Sequence, residues 1–245
     1  MKKVLITGAN RSIGLETARQ LLREGYYVYL GSRDLAKGQQ AVEKLHAEGL
    51  TEVEAIALDV SSQGSVDAAR AAIGRKTDVL DALVNNAGIN GGLPQTALGS
   101  DVAVMNEVFN VNVYGVVRVT QAFIDLLKKA AQPRIVNVSS GGCSLTLSSD
   151  PGWKYYHHKG AIYPPSKAAL NMYTIVLAYE LRDTPFKVNA VDPGFTATDF
   201  NQHRGTGSVE EAGTRIMKYV LLGEDGPTGK YISEEMNPET GEIPW

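Results

Sequence analysis

Six short apolar or β-branched runs punctuate the 245-residue chain: KVLIT at 3–7, YVYLG at 27–31, VEAIAL at 53–58, DVLDALVNN at 78–86, RIVNVS at 134–139 and KVNAVD at 187–192. Between and after them lie segments of helical period at 12–24, 34–48, 62–75, 101–130, 164–182 and 208–222. Strands that read as continuous apolar runs must be covered on both faces, and parallel neighbours need long crossovers between them. The alternation therefore predicts an α/β fold: one doubly wound parallel β-sheet sandwiched by helices on both faces. With 43% hydrophobic residues the chain has enough apolar material for one sizeable core. No repeat, low-complexity tract or linker interrupts it, so residues 1–245 are expected to form a single domain. Ser208 and Glu211 form a capping box at the head of the last helix. The turn-rich tail NPETGEIPW is expected to pack over the domain as an arm anchored by Trp245.

A net charge of −3 without a Lys/Arg cluster gives no electrostatic footprint for nucleic acid or an anionic membrane. The apolar run in MKKVLITGAN is too short for a signal-peptide core, and Cys143, the single cysteine, has no intramolecular partner. A cytosolic protein with a small-molecule partner is expected. His157 and His158 are adjacent, so they share no helix face, and no Cys or carboxylate cluster accompanies them; no metal site is expected.

The first strand runs into VLITGANRSIGLETARQLL, a Gly-rich turn at the mouth of a helix. There the helix amides and a close backbone approach suit a pyrophosphate, the arrangement of a Rossmann-type site. Gly8 permits the tight turn and Gly14 lets helix and strand pack closely. Ser12 stands where a second backbone-approach glycine is expected; its small hydroxyl is compatible with a phosphate.

TGANRSIG resembles the Thr-Gly-x-x-x-Gly-x-Gly fingerprint of the short-chain dehydrogenase/reductase family. NNAG at 85–88, NVYG at 112–115, VNVSS at 136–140, YPPSK at 163–167 and DPGFTATD at 192–199 follow in that family's order. The resemblance spans about residues 4 to 199 and is closest to NADPH-dependent carbonyl reductases. It implies a cofactor held by Gly8, Asn10, Arg11, Ser12, Ile13 and Gly14, with Asp59 and Val60 at the adenine and Asn86, Ala87 and Gly88 along the cleft. Pro193 and Gly194 should meet the carboxamide, with Thr196 and Thr198 beside it. The residues themselves favour NADP(H) over NAD(H). Gly31 and Ser32 stand where an NAD-selecting carboxylate would be, and Arg33 and Arg11 supply cations for a 2′-phosphate. The competing readings are an Arg33–Asp34 surface pair and a helix cap at Asp59.

Reducing a carbonyl leaves charge growing on oxygen, which calls for a proton donor aimed at it. A tyrosine serves when a nearby ammonium acidifies it. At about 4 Å and an effective dielectric near 20 that attraction is worth roughly 4 kcal/mol, about a thousandfold in acidity. Tyr-x-x-x-Lys on a helix puts both on one face, and this chain has the spacing twice: Tyr155/Lys159 and Tyr163/Lys167. Lys167 is followed by a long run of helix formers, and Pro164 and Pro165 suit a helix start. Lys159 is followed by Gly160, Ile162 and those prolines, which stop a helix. Pro193 also lies 30 positions beyond Tyr163, one helix and one strand, as in the family. The interval from Ser140 to Tyr163 is longer than the family's usual spacing and by itself favours Tyr155, unless 141–162 is an insertion. On balance Tyr163 is the expected acid.

By resemblance Ser140 bonds the substrate oxygen, Ser139 faces the other side of the strand, Lys167 also holds the nicotinamide ribose, and Asn112 holds a water linking Lys167 to solvent. Trp153, Tyr156, Phe195 and Phe200 are candidate pocket walls. The expected activity is reversible NADPH-dependent reduction of a ketone or aldehyde; the substrate is a small carbonyl compound or alcohol. The alternatives are a non-catalytic NADP(H)-binding sensor and a sugar-nucleotide epimerase or dehydratase. Family members pair through 101–130 and 164–182, whereas an insertion covering that face gives a monomer; both states stay open.

Overall fold

The apolar runs become strands because their side chains alternate between two buried faces rather than between core and solvent. In a computed structural model describing residues 1–245, Val4 and Ile6 of β1 (Lys3–Ile6) pack into one core and Leu5 into the other. Seven parallel strands form one sheet in the order β3-β2-β1-β4-β5-β6-β7. They are β1, β2 (Tyr27–Ser32), β3 (Val53–Ala57), β4 (Ala82–Asn85), β5 (Arg134–Val138), β6 (Lys187–Val191) and β7 (Tyr231–Ile232). Register is fixed by pairs such as Leu5↔Leu83 and Val136↔Asn189. The first core also holds Leu21 and Ala18 of α1 (Ser12–Arg23), Leu45 of α2 (Leu35–Ala47) and Ile216 of α8 (Val209–Val220). The second holds Ile73 of α3 (Gln63–Gly74), Phe123 of α5 (Gly115–Leu127) and Leu177 of α7 (Tyr163–Glu180).

Strand order reverses between β1 and β4, which opens a crevice beyond their carboxyl ends, the place where open α/β sheets bind ligands. The six expected strands are present. β7 is an addition: two residues inside a turn-rich stretch, held by pairing with Ala190 and Val191. The long helix expected at 101–130 is divided into α4 (Val102–Phe109), a π-helical turn at Asn110–Tyr114, and α5. There Gly115 donates to Asn110, and a Cβ on Gly115 would lie 2.8 Å from Val60 Cγ2, so glycine lets the widened turn press on the loop that follows β3. The Ser208/Glu211 capping box forms. The tail crosses the sheet edge and stacks Trp245 on Tyr231, ring centroids 5.3 Å apart. A short helix, α6 (Leu145–Ser149), begins the 141–162 segment, which is anchored to the tail by Ser144 Oγ donating to Pro244 O at 2.7 Å.

Candidate active site

Just beyond β1 the chain turns at Gly8, whose φ of +63° is the left-handed region that glycine tolerates; a Cβ there would also lie 3.0 Å from Ala87 Cα. A Cβ on Gly14 would lie 2.5 Å from Asn86 Nδ2 and 2.8 Å from Gly8 O. Asn86 Nδ2 donates to Thr7 O and Gly8 O at 2.9 and 3.1 Å, so this side chain braces the glycine turn from within. Thr7 Oγ1 accepts from the amides of Asn86 and Ala87, both at 3.0 Å. Ser12 adopts φ +50° in the second glycine's place. Neither Arg11, at the N-cap of α1, nor any acid in the first turn satisfies the leading amides of that helix. Flanked by Asn10 and Ile13, these amides form an anion site of the kind a pyrophosphate occupies, so the residues present fit a dinucleotide.

At the adenosine end Asp34 caps α2 through the Lys37 amide at 3.2 Å and pairs with Lys37 Nζ at 3.6 Å. Arg33 is not its partner: exposed and in no ion pair, it is free to meet a phosphate. Ser32 turns its hydroxyl inward, donating to Asp34 O at 2.7 Å. Asp59 accepts from the amide and hydroxyl of Ser61 at 2.9 and 2.7 Å, and the cap of α3 falls to Ser62 instead. The Val60 side chain belongs to the second core. Arg11, on the opposite lip, donates to Asp199 Oδ2 at 2.9 Å.

The two Tyr-x-x-x-Lys pairs have different fates. Tyr163 is the first residue of α7, with Pro164 and Pro165 behind it and Lys167 one turn on. Tyr155 lies in irregular turns, its hydroxyl donating to Glu235 Oε1 at 3.0 Å. Lys159 donates to Ser148 O at 2.6 Å and lies 4.0 Å over the Tyr156 ring, so this pair shares no helix face. His157 and His158 pack edge-on against Tyr156 and Tyr155.

Ser140, just after β5, has its side chain beside the Tyr163 phenol and favours the ionised form of that phenol. Its carbonyl is gripped by the Cys143 amide at 3.1 Å and by the Tyr231 hydroxyl. Ser139 points the other way and donates to Asn171 Oδ1 at 2.6 Å. Asn112 occupies the π-helical turn, fully buried; Nδ2 donates to Ile89 O and Ser166 Oγ at 2.9 and 3.0 Å, and Oδ1 accepts from the Ile89 amide at 2.9 Å. Its amide hydrogens are thus spent on the frame. A Cβ on Gly88 would lie 3.3 Å from Asn112 Oδ1 and 3.6 Å from Lys167 Nζ, so these three groups meet in one narrow place.

On the facing wall Gly194 has φ +87° and donates to Asp192 Oδ1 at 3.0 Å, while Arg215 Nη1 donates to Pro193 O at 2.9 Å. Thr196 Oγ1 donates to Gly194 O at 3.2 Å, and Thr198 caps the turn at Asp199–Asn201. Phe200 meets Tyr163 edge to face at 5.3 Å, at the mouth of a cavity of about 270 Å³ that Arg11, Ile89, Asn90 and Arg204 also line. Phe195 is exposed. Trp153 instead lines a separate cavity of about 340 Å³ between the 141–162 segment and the tail.

The electrostatics depart from expectation. Lys167 Nζ donates to Val138 O at 2.7 Å and stands 5.9 Å from the centre of the Tyr163 ring. Burial pushes the phenol well above its ordinary range, and the acidic groups of Cys143 and Asp192 push the same way; the Ser140 side chain opposes them. Burial lowers Lys167 to about 8. Asp192 is itself raised by burial, although Ser233 Oγ donates to it at 2.6 Å. Asn90 and Gln95 shape this site without belonging to any motif that singled them out beforehand, whereas Asp192 opens the DPGFTATD motif.

A glycine turn offering helix amides at the switch point, facing serine, tyrosine and lysine across one crevice, places the protein among the Rossmann-type oxidoreductases. The model of the short chain dehydrogenase family matches residues 2–208, and the chain belongs to that family. The (+)-neomenthol dehydrogenase of Arabidopsis thaliana is 32% identical, over 96% of this chain and 97% of its own. An NADPH-bound carbonyl reductase from chicken fatty liver has a TM-score of 0.84 at 29% identity, over 100% of this chain and 99% of the other. A 3-ketoacyl-(acyl-carrier-protein) reductase from Brucella melitensis, complexed with NADH, has a TM-score of 0.76 at 25% identity, over 94% and 95%. These relatives support carbonyl reduction with a nicotinamide cofactor. No helix of the protein is long and apolar enough to cross a membrane.

Proposed function

We propose that the protein is an NADPH-dependent reductase of ketones or aldehydes, working reversibly as an alcohol dehydrogenase, with its whole chain acting as one domain. The observation that carries this reading is the meeting of Gly88, Asn112 and Lys167 in one narrow place one helical turn from Tyr163, with the Ser140 side chain beside the phenol. NADPH would supply the hydride. Ser140 orients the carbonyl oxygen, and Tyr163 Oη gives that oxygen its proton. A phenol held neutral by burial keeps its proton at every physiological pH, so the site's task is to stabilise the phenolate left behind once the proton is given up. Ser140 does so by hydrogen bond. Lys167 does so as a buried cation at pH values below about 8, and its ammonium also suits the nicotinamide ribose.

NADPH is favoured over NADH by the free Arg33 and by the absence of an acid at Gly31 and Ser32. Tyr163→Phe is expected to abolish reduction of a ketone and aldehyde panel while NADPH binding survives, and Tyr155→Phe to keep most activity. The opposite pattern would assign the acid to Tyr155; undiminished turnover in both variants would sink the mechanism.

A further inference from the structure

The start of the catalytic helix poses an accounting problem. The first amides of a helix have no partner within it. In α7 the next two residues are Pro164 and Pro165, which carry no N–H, and Ser166 already donates to Ile162 O at 3.2 Å. The one donor left over is the amide of Tyr163 itself. Ile162, at the N-cap, has an apolar side chain and supplies no cap.

The missing acceptor comes from 68 positions upstream: Gln95 Oε1 takes the Tyr163 N–H at 2.9 Å. Gln95 is buried, and both ends of its side-chain amide are committed. Nε2 donates to Asn90 O and to Gly92 O, the latter at 2.8 Å, and the backbone carbonyl accepts from Ala161 at 3.0 Å. A Cβ on Gly160 would lie 3.0 Å from Gln95 Oε1, so the chain before the helix also runs close to this side chain. Asn90 in turn donates through Nδ2 to Phe200 O, and the Phe200 ring lies against Tyr163. The contacts close a circuit: Tyr163 amide, Gln95, Asn90, Phe200, Tyr163 ring.

We propose that Gln95 is a positioning residue for carbonyl reduction: its carbonyl oxygen caps the catalytic helix at Tyr163, while its amide nitrogen holds the Asn90–Gly92 turn that grips the substrate-side segment. This rests on Tyr163 as proton donor. The two ends of one side chain therefore have separable effects. The oxygen sets the phenol's place and governs kcat; the nitrogen sets the Asn90–Phe200 wall and governs substrate KM.

The test compares Gln95→Met, of similar length but with neither polar end, with Gln95→Glu, which keeps an acceptor for the Tyr163 amide and loses both donations. Readouts are kcat and KM at saturating NADPH, and hydrogen exchange of the segment 161–168. Gln95→Met is expected to lower kcat about tenfold or more, as small misplacements of a reacting group do, and to speed exchange of that segment. Gln95→Glu is expected to keep kcat within about threefold and normal exchange while substrate KM rises severalfold. Equal loss of kcat in both variants, or native kcat and exchange in Gln95→Met, overturns the proposal. Should Gln95→Met not fold, Gln95→Glu decides alone: a tenfold fall in its kcat is the adverse result. Tyr163→Phe assayed alongside separates the two ideas, since a fully active Tyr163→Phe refutes the role of the phenol, whereas the exchange data report on the cap regardless of turnover.

Discussion

Arg11 and Asp199 reach across the mouth of the crevice from opposite lips, guanidinium to carboxylate at 2.9 Å. One belongs to the glycine turn and the other to the segment that carries Phe200 onto Tyr163. With side chains 65% and 55% exposed, the pair contributes little to stability, roughly 0–1 kcal/mol. Its importance is competitive, because the guanidinium that resemblance assigns to a cofactor phosphate is already occupied.

Asp199→Asn should therefore free Arg11. NADPH is expected to bind the variant severalfold more tightly, with the gain shrinking at high salt and the melting temperature unchanged within about a degree. Fluorescence titration of NADPH at two ionic strengths reads this; equal or weaker binding in Asp199→Asn would show that Arg11 does not exchange partners.

Ser12 sits at φ +50° where the fingerprint has glycine. A left-handed conformation costs a residue with a Cβ roughly 1–2 kcal/mol, of which glycine recovers part after its own larger chain entropy is charged. Ser12→Gly is expected to stabilise the protein by up to about 1 kcal/mol, a rise in melting temperature of roughly 2–4 °C for a chain of this size. A lowered melting temperature would mean that the Ser12 hydroxyl makes a compensating interaction.

What the sequence made legible depended on how local the determining contacts are. The choice of Tyr163 over Tyr155 could be read from two prolines and a glycine, because helix starts and stops are written within a few residues. The strands could be read because burial on both faces leaves unbroken apolar runs. By contrast β7 is two residues long and exists through pairing with β6, so nothing local announces it. The π-helical turn around Asn112 is a single widened turn inside one helical segment, and no capping or breaking residue marks it. The i, i+4 spacing brings Tyr163 and Lys167 to one face without deciding which acceptor the ammonium takes, and here Val138 O accepts from it. Gln95 was invisible for the same reason: its acceptor role is defined by a helix that begins 68 positions later.

Arg134 presents a buried cation with no carboxylate partner. Its guanidinium is satisfied by carbonyls instead, those of Pro133, Pro185, Leu222 and Gly223, at 2.7 to 3.1 Å. Leu222 and Gly223 lie just past the end of α8, where the helix dipole favours positive charge. Arg134→Met would leave several buried carbonyls without donors, and a loss of about 3 kcal/mol or more is expected. Urea denaturation checks it; a midpoint shift equivalent to under 1 kcal/mol would show that the carbonyls find water instead.

Lys167 gives the protein a pH signature opposite to that of an ordinary surface lysine. Its folded value is about 8 against 10.5 for the free side chain, because burial penalises the ammonium. Below pH 8 the group is charged in folded and unfolded chains alike, and the folded state carries the full burial cost, on the order of 3 kcal/mol. Between 8 and 10.5 the unfolded chain binds a proton that the folded chain has released, so this group's contribution to stability rises with pH. Tyr163 opposes it only above pH 10, where an unfolded tyrosine ionises and the buried phenol does not. The urea midpoint of the wild type, compared with that of Lys167→Met, should therefore improve from pH 7.5 to 9.5. An anionic cofactor beside the ammonium raises its pKa, so NADPH affinity should weaken over the same interval in the wild type and stay level in Lys167→Met. A wild-type midpoint that runs parallel to the variant's across that interval would mean that Lys167 stays charged, and that Val138 O with its surroundings stabilises the ammonium more than burial penalises it.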